Sequence, residues 1–233
     1  MRLSLLALLE GMIREGTANW ECSAFIAASC ERIIRTIVVP NLIWKVGRVE
    51  ATVRKVALAA CYGLLKAGAA RPEALYKSAG ELVPLVASHL DDSDVSPRLM
   101  SCYCLTVIFE RLRGAFGEQA LLEIYPKLLK RLDDSNDDVR IAVCATLVMF
   151  LQCAATTACY RGTMIDYTLD QLFIHLDDPD DNIQENIEIV IIQASKIDKD
   201  LVEKKAERNR TTHRTPMMCD RILAEVRGFE ILE

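Results

Sequence analysis

"PKLLKRLDDSNDDVRIAVCATL", Pro126 to Leu147, sets four aspartates and an asparagine between two apolar runs. Such a cluster is either a metal loop or a corner between two helices, and whether it recurs decides which. A like arrangement begins at Pro84 ("PLVASHLDDSDVSPRLMSCYCL") and at Asp170 ("DQLFIHLDDPDDNIQENIEIVI"). A diverged copy begins at Pro40 ("PNLIWKVGRVEATVRKVALAAC"). The four starts lie 44, 42 and 44 residues apart, and the units align without internal gaps. Six residues after each start stand Val46, Leu90, Leu132 and Leu176; fourteen after stand Arg54, Arg98, Arg140 and Gln184. A fixed period of this size is the mark of a helical-repeat array.

Each unit reads as helix, acidic turn, helix. Ile124, Leu128, Leu129 and Leu132 form one apolar stripe at helical spacing. "DDSND" is rich in side chains that hydrogen-bond their own backbone, so it turns the chain. Asp137 or Asp138 is expected to cap the helix that follows, where a carboxylate also suits the helix dipole. That helix, Val139 to Leu151, is apolar nearly all round and needs covering on both sides, as neighbours in a stack provide. The expected fold class is therefore all-α, an α-solenoid of antiparallel helix pairs. A calcium loop does not fit. Counted from Asp133, its glycine position holds Asp138 and its closing glutamate position Cys144; from Asp177, a ligand position holds Pro179.

Composition agrees with helices joined by short turns: 10 glycines and 7 prolines in 233 residues, 51% of them hydrophobic. A net charge of -5 supplies no basic field for nucleic acid. The apolar start "MRLSLLALLEG" is broken by Glu10 and lacks a small-residue cleavage site, so it reads as an amphipathic helix. Without a secretory signal, the nine cysteines are expected to be reduced packing residues, Cys102 and Cys144 sharing one repeat position. Ile141 to Cys159 carries no charge, yet its second half is too weakly apolar for a membrane span. No Gly-rich phosphate loop, nucleophile elbow or metal-binding His helix appears. The expectation is thus a cytoplasmic protein that is not an enzyme, with no cofactor, no metal and no small-molecule substrate.

The organisation follows the period. Residues 1–15 read as the second helix of a truncated repeat. Repeats follow at 20–66 (with a bend near Pro40), 74–112, 118–153 and 163–196, and capping helices at 197–233, where Met217, Ile222, Leu223 and Val226 offer an apolar face. The polar second helix of the last repeat suits an end cap and the start shows none, so the chain is expected to be the C-terminal part of a longer solenoid. Lys45, His89, Arg131 and His175 share the fifth position after each start. A position accepting Lys, His and Arg suggests a solvated basic row, a possible partner-facing edge.

The unit resembles the HEAT repeat, in which a proline in the first helix is followed by D-x-V-R at the start of the second. "DDVR", Asp137 to Arg140, is the nearest match, and "EATVR" keeps the Val-Arg. The resemblance implies an inter-repeat ladder of hydrogen bonds, with Arg54, Arg98 and Arg140 as basic rungs and Asp91, Asp92, Asp133, Asp134 and Asp137 as acceptors. Gln184 and Pro97 depart from the family pattern. "IYPKLLKRLDDSNDDVR", "LVMFLQC", "HLDDPDDNIQE" and "CDRIL", with their spacing, are similar to the C-terminal repeats of the HEAT-type dynein axonemal assembly factors. That likeness implies a non-catalytic scaffold, co-chaperone-like, for cytoplasmic preassembly of dynein arms. Its implied partners are axonemal dynein chains and assembly chaperones, with no nucleic acid and no membrane. The competing expectation is a general HEAT-repeat adaptor of the transport-receptor or phosphatase-scaffold sort.

Overall fold

The computed structural model describes residues 2–16, 20–67, 70–158 and 160–228, and among these it is helical, without a strand. Its helices are α1 (Arg2–Gly16), α2 (Trp20–Ile33), α3 (Val39–Leu42), α4 (Arg48–Lys66), α5 (Pro72–Ser88), α6 (Val95–Arg111), α7 (Glu118–Leu129), α8 (Asp137–Ala154), α9 (Thr163–His175), α10 (Asp181–Ser195), α11 (Lys199–Arg210) and α12 (Pro216–Gly228). They form two compact units, Met1–Ala115 and Phe116–Glu233.

In the first unit α1 packs on α4 and α4 on α6, while α5 lies against α6 and α2. The approach of α1 to α4 is close at Gly63, where an added Cβ would stand 3.0 Å from Ile13 Cγ2. Between α2 and α3 runs a π-helical turn, Ile34–Val38, in which the Val39 N–H reaches back to the Ile34 carbonyl. It precedes Pro40, whose ring and missing N–H do not fit a regular ladder, and the wider turn absorbs the misfit.

In the second unit α8 packs on α10 and α10 on α12, with α7, α9 and α11 alongside. The stripe Ile124, Leu128, Leu129, Leu132 is buried, as are Val139, Val143, Leu147, Phe150 and Leu151 of α8. Tyr160 closes the corner between α8 and α9. Its ring meets Phe150 edge-on at 5.2 Å and Tyr125 at 5.8 Å, and its hydroxyl lies 2.7 Å from Thr168 Oγ1. The charged stretch after Lys196 folds as α11 and pairs with α12. Met217 is 62% exposed, whereas Met218 joins Ile222, Leu223 and Val226 inside.

Seven cysteines (30, 61, 102, 104, 144, 153 and 219) are buried free thiols. Cys159, and with it the end of the uncharged stretch, lies outside the described residues. No helix among the described residues is long and apolar enough to cross a membrane.

Candidate functional site

The acidic turns repeat one hydrogen-bonding device. Asp92, Asp134 and Asp178 occupy the same repeat position, and in each Oδ1 accepts the N–H two residues on: Asp94 at 3.1 Å, Asn136 at 3.1 Å, Asp180 at 2.9 Å. This is the local turn that aspartate favours. It delivers the next polar side chain to the helix start, so Asp94 caps α6, Asn136 caps α8 and Asp180 caps α10. The expected caps Asp137 and Asp138 instead sit in the first turn of α8.

The Oδ2 atoms face cations. Arg54 donates Nε and Nη2 to Asp92 Oδ2 at 3.2 and 3.1 Å, joining one helix pair to the next. Arg140 Nη2 donates to Asp178 Oδ2, and its Nη1 to Asp137 at 3.2 Å. Arg131 Nη1 reaches Asp134 at 2.9 Å within its own turn. Burial disfavours the charged Asp178, but the bonds from Arg140 and the Asp180 N–H outweigh it and hold the carboxyl below its ordinary value. Asp178 escaped the sequence reading, although its register with Asp92 and Asp134 marks it.

The fourteenth-position side chains share a second task, closing their own turn. Arg54 donates to the Lys45 carbonyl (2.8 Å), Arg98 to that of Asp92 (3.0 Å), Arg140 to that of Leu132 (3.0 Å) and Gln184 to that of Asp178 (2.6 Å). Gln184 thus keeps the turn bond without the charge, and also reaches Thr215 Oγ1 at 3.3 Å. Of the remaining expected acceptors, Asp133 faces His175 at 3.5 Å, and Asp91 is exposed.

The expected solvated basic row is not a surface row. His89 is 1% exposed and His175 8%. His89 Nε2 lies 2.8 Å from the Leu42 carbonyl, which only accepts, so Nε2 carries the hydrogen. Burial lowers both imidazoles below their ordinary value. Lys45 is exposed, and Arg131 is half-buried against Asp134.

Ion pairs fasten the end of the second unit. Lys205 Nζ, nearly buried, lies 2.8 Å from Asp166 and 2.5 Å from Asp170, one turn apart on α9. Arg221 meets the buried Glu188 at 2.7 Å. Asp177 accepts the Arg214 N–H at 2.7 Å and its Nε at 3.2 Å. Among the described residues no group of three or more His, Cys, Asp and Glu side chains is arranged to hold a metal ion. The Asp92 and Asp178 turns each receive an arginine from the preceding helix pair.

A HEAT repeat model matches residues 124–154, the α7–α8 pair with its acidic turn. The chain carries a HEAT repeat. Two relatives share its sequence along 98% of its length: dynein axonemal assembly factor 5 of Homo sapiens, at 31% identity, and of Xenopus laevis, at 29%. The HEAT-repeat chain spans about a quarter of their length, 27% and 28%. Among solved structures it is similar to a designed armadillo repeat protein, with TM-score 0.60 and 18% identity over 96% of this chain and 92% of that one. A second, computationally designed set of armadillo repeats gives TM-score 0.55 at 16% identity, covering 95% and 98%. These structures bear on the fold alone: a helical-repeat solenoid.

Proposed function

We propose that this chain is part of a non-catalytic scaffold for preassembly of axonemal dynein arms in the cytoplasm, acting beside assembly chaperones. The observation that carries the reading is the likeness to dynein axonemal assembly factor 5 along 98% of the chain. The turn chemistry supports it: charge is spent on fixing corners, and exposed helix faces and turns are left for protein contacts. Exposed acids such as Asp91, Asp133 and Asp137 favour reversible, salt-sensitive association, as release of a client requires. The test is affinity purification of the full-length protein from cytoplasm of ciliating cells. Dynein heavy chains should co-purify, in falling amounts as salt rises, and the protein should be missing from finished axonemes. Its recovery as a fixed axonemal component, or an eluate without dynein chains, would leave a general HEAT adaptor.

A further inference from the structure

The turn between α3 and α4 departs from the others. Where they carry two aspartates followed by Ser or Pro, it carries Gly47-Arg48-Val49, in the stretch Ile43-Trp44-Lys45-Val46-Gly47-Arg48-Val49. Four large apolar side chains face solvent there: Ile43 at 50% exposure, Trp44 at 65%, Val46 at 82% and Val49 at 66%. Val46 holds the position at which Leu90, Leu132 and Leu176 are buried. Its eversion follows from Gly47, whose φ of 120° and ψ of 150° lie in a region essentially closed to residues with a Cβ.

The tip is nevertheless held in place. Arg54 lies 5.8 Å from the Trp44 ring centre and also binds the Lys45 carbonyl, so the buried rung to Asp92 anchors both residues. Lys45 and Arg48 are exposed, and their side chains make no ion pair among the described residues. The neighbouring acids are engaged, Glu50 with Arg2 at 3.3 Å and Asp92 with Arg54. An ordered apolar tip with unbalanced positive charge thus stands on a chain of net charge -5.

We infer that the Ile43–Val49 tip is a docking site for an acidic amphipathic segment of a partner protein, apolar side chains on Trp44, Val46 and Val49 and carboxylates beside Lys45 and Arg48. Tryptophan at the centre of a small apolar patch suits an anchoring contact, and the two cations select sign. An anionic bilayer fits less well, because each cation near such a surface contributes only about 1 kcal/mol and the tip offers two. The inference rests on the chain being protein-binding, and not on dynein being its client.

The test is calorimetric titration of the unmodified chain with a synthetic Leu/Glu amphipathic peptide, beside a Leu/Lys peptide of the same pattern. A Trp20→Phe chain, in which Trp44 is the remaining tryptophan, reports the place of binding by fluorescence. The Leu/Glu peptide should bind saturably, shift Trp44 emission to the blue, and outbind the Leu/Lys peptide by about tenfold or more. Val46→Asp, and separately Lys45→Glu with Arg48→Glu, should weaken it by about tenfold with circular dichroism and melting midpoint unchanged. No saturable binding, equal binding of both peptides, or affinity untouched by these variants would overturn the inference. So would a Trp44 shift with phosphatidylserine vesicles and none with the peptide. Co-purification of dynein chains is read separately, so either proposal can fail while the other stands.

Discussion

Arg54 and Asp92 meet as a buried pair across 38 residues of sequence, with 5% and 1% of their side chains exposed and two hydrogen bonds to one carboxylate oxygen. Removing the guanidinium strands a carboxylate away from water and frees the Lys45 carbonyl. Arg54→Ala is therefore expected to destabilise the chain by about 3–5 kcal/mol. Urea unfolding checks it, and a loss under about 1 kcal/mol would place the pair in solvent.

Arg140 makes the matching bond to Asp178, but the two side chains remain 15% and 12% exposed. Water reaches this rung, and solvent compensates part of what is lost. Arg140→Ala should cost about 1–3 kcal/mol, less than Arg54→Ala. Arg140→Lys should fall between wild type and alanine, because an ammonium keeps the charge but cannot serve Leu132, Asp137 and Asp178 together. A reversed order of the two alanine variants in the same denaturant series would refute the burial argument.

The period and helix-turn-helix unit were legible because they rest on apolar spacing, and the Ile124 to Leu132 stripe is buried as that spacing requires. The division of labour among the aspartates was not legible. Asp134, Asn136, Asp137 and Asp138 are all turn-formers, and a shift of one residue decides which one caps the helix. Only the backbone conformation, which turns the Asn136 N–H onto Asp134 Oδ1, makes that choice. The histidines misled for a related reason. Interchange among Lys45, His89, Arg131 and His175 looked like tolerance of solvent, whereas His89 and His175 lie buried against turn atoms of a neighbouring helix pair. The everted tip at Val46 was hidden by a residue type that matched its buried counterparts.

Ser101 on α6 is fully buried, and its Oγ has no hydrogen-bond partner among the described residues. Such a hydroxyl loses water and gains nothing in return, while alanine is the better helix former. Ser101→Ala should leave stability unchanged or raise it by up to about 1 kcal/mol, read as the shift in melting midpoint. A clear loss would reveal a bond made by that hydroxyl.

The buried thiols should be inert in the native state. Burial pushes Cys30 and Cys219 up to about 11 and Cys144 to about 12, far from thiolate formation at neutral pH. Seven of the nine cysteines are buried and free. An aromatic disulfide reagent near neutral pH should therefore label at most the other two, Cys22 and Cys159, and all nine once the chain is unfolded. Rapid native labelling of Cys144, located by mass spectrometry, would contradict its burial in α8.

Acidification should weaken the fold through the histidines. His89, His175 and His213 are the three in the chain, and burial lowers each below the ordinary 6.5. A base lowered in the folded state is protonated first in the unfolded one. Its stabilising contribution is complete above 6.5 and is lost as pH falls through that value toward the folded ones. For His89 the opposing pull of Asp92, 3.6 Å from Nδ1, is partly cancelled by Arg54. Glu188, raised by burial above 4.5, acts in the contrary sense, and Asp177 and Asp178, held below 3.8, add their loss only further down. Urea midpoints should therefore fall between about pH 7.5 and about pH 5.5. His89→Gln should flatten that slope, since an amide can still donate to the Leu42 carbonyl and does not titrate. A midpoint that rises over the same interval, or a slope that His89→Gln leaves untouched, would show that the buried imidazole does not govern it.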